Sequence, residues 1–136
     1  MSERVRIRVF SVDDHPLLRE GIAAIINNQA DMTMVAQAAN AEDAIAQFRK
    51  HKPDVTLMDL RLPDQGGIEA MIAIRTEFPD ARVIMLTTFE GDVDIKRALE
   101  AGARGYVSKA EASRQLLTAI ESLIGNQPLV ANPQAH

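Results

Sequence analysis

The sequence predicts a doubly wound α/β domain, with five parallel strands in the order 2-1-3-4-5 and helices on both faces. Short apolar runs of strand length alternate with longer segments whose apolar residues recur at helical spacing, five times along the chain. Strict alternation of this kind implies a parallel sheet covered on both sides. Of the two common doubly wound orders, five strands fit 2-1-3-4-5. At 46% hydrophobic over 136 residues, the chain can bury a full single-domain core without staples, and with no cysteine it has no disulfides to call on.

Each element has its own signal. Arg6 to Val12 (RIRVFSV) reads as the first strand and runs into Asp13-Asp14. Pro16 suits the first turn of a helix, on which Leu17, Leu18, Gly21, Ile22, Ile25 and Ile26 form one face until Asn27-Asn28. Met32 to Ala38 is the second strand. Asn40 is a good N-cap, with Asp43 in an acidic first turn, for a helix through Ile45 and Phe48 to about Lys50. Pro53 precedes the third strand, Val55 to Met58, which ends on Asp59. Ile68, Met71, Ile72 and Ile74 line a third helix, stopped near Pro79. Arg82 to Thr87 is the fourth strand, and Ile95, Ala98 and Leu99 mark a short helix ended by Ala101-Gly102. Gly105 to Ser108 is the fifth strand. Leu116, Leu117, Ile120, Leu123 and Ile124 form the last helix, closed by Gly125. This is the flavodoxin-like arrangement. Residues 1–125 make the domain, and 126–136, with two prolines and no periodicity, read as a tail or the start of a linker.

Charge and hydropathy exclude several classes. A net charge of −4 argues against a broad basic face for nucleic acid. Every apolar run is far shorter than the roughly 18 residues of a membrane span. The charged start, MSERVRIR, is no signal peptide. A soluble cytoplasmic domain is the expectation.

In this topology strands 1 and 3 are neighbours, and ligands bind beyond the carboxyl ends where the order reverses. The first strand ends in Asp13-Asp14 and the third in Asp59, so three carboxylates crowd one crevice and call for protonation or a cation. Hard oxygens without sulfur or clustered histidine select magnesium, manganese or calcium. Neither His15 nor His51 has metal-site spacing to another histidine, and both read as surface residues. The fourth strand ends in Thr87 and the fifth in Lys109, which aims a hydroxyl and an ammonium at the acids. That set suits phosphoryl transfer to a carboxylate, with the cation and the lysine countering charge and the threonine donating a hydrogen bond. Pro63 and Gly66-Gly67 let the loop after Asp59 turn tightly while presenting a carbonyl to the metal. Singly, each residue has a plainer reading: Asp13-Asp14 as a helix cap, Asp59 as a loop acid, Lys109 as a surface lysine. Their convergence at adjacent strand ends favours a site.

The runs VDDHPLLREG, LMDLRLP, MLTTF and EAGARGYVSK carry a resemblance over about residues 6–125. The sequence resembles the receiver domains of two-component response regulators, most of all the NarL/FixJ branch, whose members usually carry a LuxR-type helix-turn-helix. The resemblance implies Asp59 as phosphoacceptor, Asp14 as direct magnesium ligand (manganese being the alternative ion), and Asp13 acting largely through water. The carbonyl of Arg61 would complete the protein ligands. Thr87 and Lys109 would hold phosphoryl oxygens, and Tyr106 would change rotamer with Thr87 on activation. It implies a sensor histidine kinase as phosphodonor and a homodimer favoured by phosphorylation, using the first and last helices. No enzymatic activity is implied beyond magnesium-assisted self-phosphorylation and autodephosphorylation.

Gly66 and Ala110 depart from the branch, which often has acids there. No DNA-binding half is present, so the expected output is transcriptional control through a domain outside this chain. The alternative is a stand-alone receiver acting by protein contact or phosphorelay. A haloacid-dehalogenase-type phosphohydrolase would need an acid two residues after the nucleophile, where Arg61 stands. A flavodoxin-like cofactor carrier would need a phosphate loop where Asp13-Asp14-His15-Pro16 would repel phosphate.

Overall fold

The computed structural model describes residues 6–88 and 93–125. The tail from Asn126, residues 1–5 and Phe89 of the MLTTF run lie outside the described residues. The elements follow one another as β1 (Ile7–Val12), α1 (Pro16–Asn27), β2 (Met32–Ala38), α2 (Ala41–His51), β3 (Val55–Asp59), α3 (Gly67–Glu77), β4 (Val83–Thr87), α4 (Asp94–Glu100), β5 (Gly105–Ser108) and α5 (Ala112–Gly125). A single 3-10 turn, Lys109–Glu111, joins β5 to α5.

All strand pairs are parallel, and the order is β2-β1-β3-β4-β5, as the alternation predicts. Strands buried on both faces read as continuous apolar runs, but the structure sorts them with period two. Phe10, Val12, Met58, Val83 and Met85 face a cluster built with Ala44 and Phe48 of α2, Met71 and Ile74 of α3, and Ile95 and Ala98 of α4. Ile7, Val9, Val55, Leu57, Ile84, Leu86 and Val107 face the other, with Ile22 and Ile26 of α1 and Leu116, Ile120 and Ile124 of α5. Phe48 and Phe78 meet with ring centroids 5.1 Å apart, tying α2 to the end of α3. Burying such side chains at about 25 cal/mol per Å² is what holds the two helical layers to the sheet.

Three helical faces are narrower than the pattern predicts. On α1 only Ile22 and Ile26 are buried, and Leu17 is 84% exposed, because it lies in the first turn, beyond the edge of the sheet cluster. Gly21 is exposed too. Ile72 of α3 and Leu99 of α4 also point outward, each displaced around its helix from the buried stripe. On α5 the extra apolar width is absorbed inward: Leu117 and Leu123 are half-buried against the same cluster as Leu116 and Ile120. β3 runs one residue further than expected and takes in Asp59. Among the described residues no helix is long and apolar enough to cross a membrane.

Candidate functional site

The carboxyl ends of β1, β3, β4 and β5 converge at one rim. Val12 pairs with Met58 and Asp59 with Leu86, while Thr87 pairs with Ser108. Registers of this kind deliver Asp13, Asp59, Thr87 and Lys109 to the same level, each at or one residue past a strand end. Asp13, Asp59 and Thr87 are at most 1% exposed.

Lys109 is the hub. Its Nζ lies 2.8 Å from Asp59 Oδ2 and 3.0 Å from Asp13 Oδ2. The Arg61 amide donates to the other Asp59 oxygen at 3.1 Å. Asp13 does not cap α1, as a sequence reading allows: the N-cap is His15, which makes no side-chain cap bond. Asp13 Oδ1 instead accepts from the His15 amide at 2.7 Å, and its backbone carbonyl accepts from Arg19 at 2.7 Å. Asp14 is exposed and faces the same crevice, with His15 Nδ1 3.2 Å from its Oδ1.

The electrostatics show a deficit of positive charge. Burial pushes the Asp59 carboxyl above its ordinary range, and nearby Asp13 adds to this, while hydrogen bonds from Lys109 and the Arg61 amide pull only partly the other way. Burial alone would lower Lys109, but its hydrogen bond to Asp59 and its charge attraction to Asp59 and Asp13 outweigh that and hold it above its usual value. One ammonium thus serves two buried acids, and a third acid, Asp14, stands at the mouth. A cation would complete the balance.

The loop after Asp59 is shaped by contact. Gly67 donates its N–H to the Leu60 carbonyl at 2.9 Å, and a Cβ on Gly67 would stand 1.9 Å from the Asp59 carbonyl oxygen. Only glycine allows that approach. Arg61 pairs with Gly66 across the loop, and its guanidinium reaches Asp94 at the start of α4 at 2.6 Å. From the same loop Asp64 accepts from the Ala41 and Glu42 amides at 2.8 and 3.0 Å, so α2 is capped twice, by Asn40 and by Asp64. Those amides hold the Asp64 carboxyl below the usual range.

Of the residues singled out from sequence, Asp13, Asp14, Asp59 and Lys109 come together and Thr87 sits at the neighbouring strand end. Tyr106 stands apart: it is 41% exposed and lines a groove of about 260 Å³ with Arg104, Ala119 and Leu123. His15 reads from sequence as a surface residue. It is exposed, yet one ligand atom each from Asp13, Asp14, His15 and Asp59 lie within 4.8 Å of one another. Its place directly after the acid pair and before Pro16 was the available signal.

A doubly wound sheet with buried acids and a lysine at its switch point defines a class, and the sequence match agrees. The chain belongs to the response regulator receiver domain family, whose model matches residues 9–121. Its relatives are response regulators of LuxR and NarL type. The response regulator VraR of Staphylococcus aureus is 38% identical over 114 residues, which are 84% of this chain and 54% of that protein. The chain therefore spans about half the length of the curated relatives it matches. A LuxR-family two-component response regulator from Aurantimonas superposes with a TM-score of 0.84 at 39% identity, covering 90% of this chain and 87% of that one. The receiver domain of NarL from Mycobacterium tuberculosis gives 0.83 at 27% identity, covering 90% and 99%.

Proposed function

We propose that this receiver is a phosphorylation-dependent switch in which Asp59 accepts a phosphoryl group from a sensor histidine kinase. One observation carries the reading: a buried Asp59 held 2.8 Å from Lys109 and faced by two further acids. A carboxylate oxygen of Asp59 attacks the phosphorus, the bond to the donor breaks with its electron pair leaving on the donor, and an acyl phosphate results. Lys109 then pairs with the phosphoryl oxygens, and the Thr87 hydroxyl donates to them.

Asp13, Asp14, Asp59 and the Arg61 carbonyl are the residues that would hold magnesium, or manganese in its place. The all-oxygen donor set fits a hard divalent ion, and so does the buried Asp13 Oδ2, which has no hydrogen-bond partner. Such an ion, when bound, neutralises phosphoryl oxygens and the crowded acids. Magnesium-assisted self-phosphorylation from small donors and autodephosphorylation are the only chemistry assigned.

The response passes through Thr87 and Tyr106 to the surface by biasing a pre-existing equilibrium. A homodimer on α1 and α5 is the favoured outcome. Residues 1–125 form the receiver and 126–136 begin a linker to a helix-turn-helix domain that regulates transcription. With its net charge of −4, the chain itself leaves DNA to that domain. The setting is the cytoplasm. Incubation with magnesium and acetyl phosphate should add one phosphoryl mass to the chain, and Asp59→Asn should abolish it. Normal labelling of Asp59→Asn would overturn the assignment.

A further inference from the structure

The acid cluster contains a nitrogen donor. His15 Nδ1 lies 2.9 Å from Asp13 Oδ1, 3.2 Å from Asp14 Oδ1 and 3.5 Å from Lys109 Nζ. Its position follows from the local sequence. A residue before proline is held extended, and His15 has φ −97° and ψ 108° at the N-cap of α1. The bond from its amide to Asp13 fixes the backbone there further, and the imidazole lies against the same carboxylate. A second observation points to an unmet ligand. Asp13 is fully buried, and its Oδ2 has no hydrogen-bond partner; Lys109 is 3.0 Å away but outside hydrogen-bond geometry. The cluster thus keeps a carboxylate oxygen on Asp13 without a hydrogen-bond donor, and the imidazole nitrogen lies 2.9 Å from the other oxygen of the same carboxylate.

We propose that His15 is a metal ligand that widens this pocket's choice of ion, raising its affinity for borderline divalent transition metals relative to magnesium. Imidazole nitrogen is a good donor for ions such as cobalt, and magnesium prefers carboxylate, carbonyl and water oxygens. His15 therefore contributes to the binding of cobalt and little to that of magnesium. Asp13, Asp14 and Asp59 supply the charge that both ions need. The inference rests on the reading of the pocket as a cation site but adds a specificity that three carboxylates would not give.

The test titrates the tag-free full chain and His15→Ala with magnesium alone and with cobalt alone, by calorimetry. Proton spectra of the cobalt-loaded chain are recorded alongside. The expected result is cobalt binding weakened roughly tenfold or more in His15→Ala, with magnesium affinity changed by less than about twofold. A hyperfine-shifted imidazole N–H resonance should be present in the wild type and missing from the variant. Because His15 is exposed, the substitution leaves the core intact. Equal weakening of both ions would overturn the proposal, since it would mark His15 as shaping the acids instead of ligating. Unchanged cobalt affinity, or a shifted resonance that survives in His15→Ala, would overturn it as well. A chain that binds neither ion would overturn the cation-site reading itself, and this proposal with it.

Discussion

Phe10 and Asp13 stand three residues apart, and each is 0% exposed, yet burial acts in opposite directions at the two. Phe10 joins an apolar cluster in which every removal from water is favourable. Asp13 enters a rim where two buried acids share one lysine, and burial raises the cost of their charge. The sheet's middle supplies stability that its carboxyl end draws down. Strain of this kind is expected where a site must bind something that the folded chain alone does not provide.

The comparison breaks first at the core. Phe10→Ala should cost about 3–5 kcal/mol, read by urea unfolding, because a large ring leaves a cavity between sheet and helices. A loss below about 1 kcal/mol would mean that the middle is not where stability resides. Gly67→Ala comes next, at roughly 1–3 kcal/mol. Its added methyl would meet the Asp59 carbonyl oxygen at 1.9 Å, so backbone must move. It should also slow labelling of Asp59, and a variant with wild-type stability and labelling would show that the loop relaxes freely.

The smallest effect has the opposite sign. Asp59 in the folded chain sits above its ordinary pKa, so its contribution to stability is present when protonated and is lost as pH rises through the folded value. At neutral pH without metal, Asp59→Asn should therefore be the more stable, on the order of 1 kcal/mol after solvent screening. The gap should close as pH falls through the carboxylate range, and magnesium should narrow it by binding the wild type. A less stable Asp59→Asn at neutral pH in chelator would show that Lys109 already balances the rim.

Much of this is legible in the sequence. Alternation gave the sheet order, and strand-end residues gave Asp13, Asp59 and Lys109, because a parallel topology fixes which ends are neighbours. What escaped lies one level down. Leu17 lies in a first turn beyond the sheet cluster, while Ile72 and Leu99 sit just round their helices from the buried stripe, and periodicity reports neither where a layer ends nor how wide its contact is. Asn40 was readable as a cap because a cap acts locally; Asp64 was not, since it crosses 23 residues to reach Ala41. His15 lacked a partner histidine in sequence, and only the fold shows that its partners are acids.

The reach of Asp64 makes the start of α2 a natural observation post. Its two oxygens anchor the loop that leaves Asp59 to the amides of Ala41 and Glu42 at the start of α2. Because both N–H groups donate to Asp64, a shift of that loop would alter their electric environment directly. If the proposed switch operates, the nitrogen-15 peaks of Ala41 and Glu42 should shift when magnesium or a phosphodonor is added, and peaks that stay put would show that Asp64 does not carry the loop's state to α2.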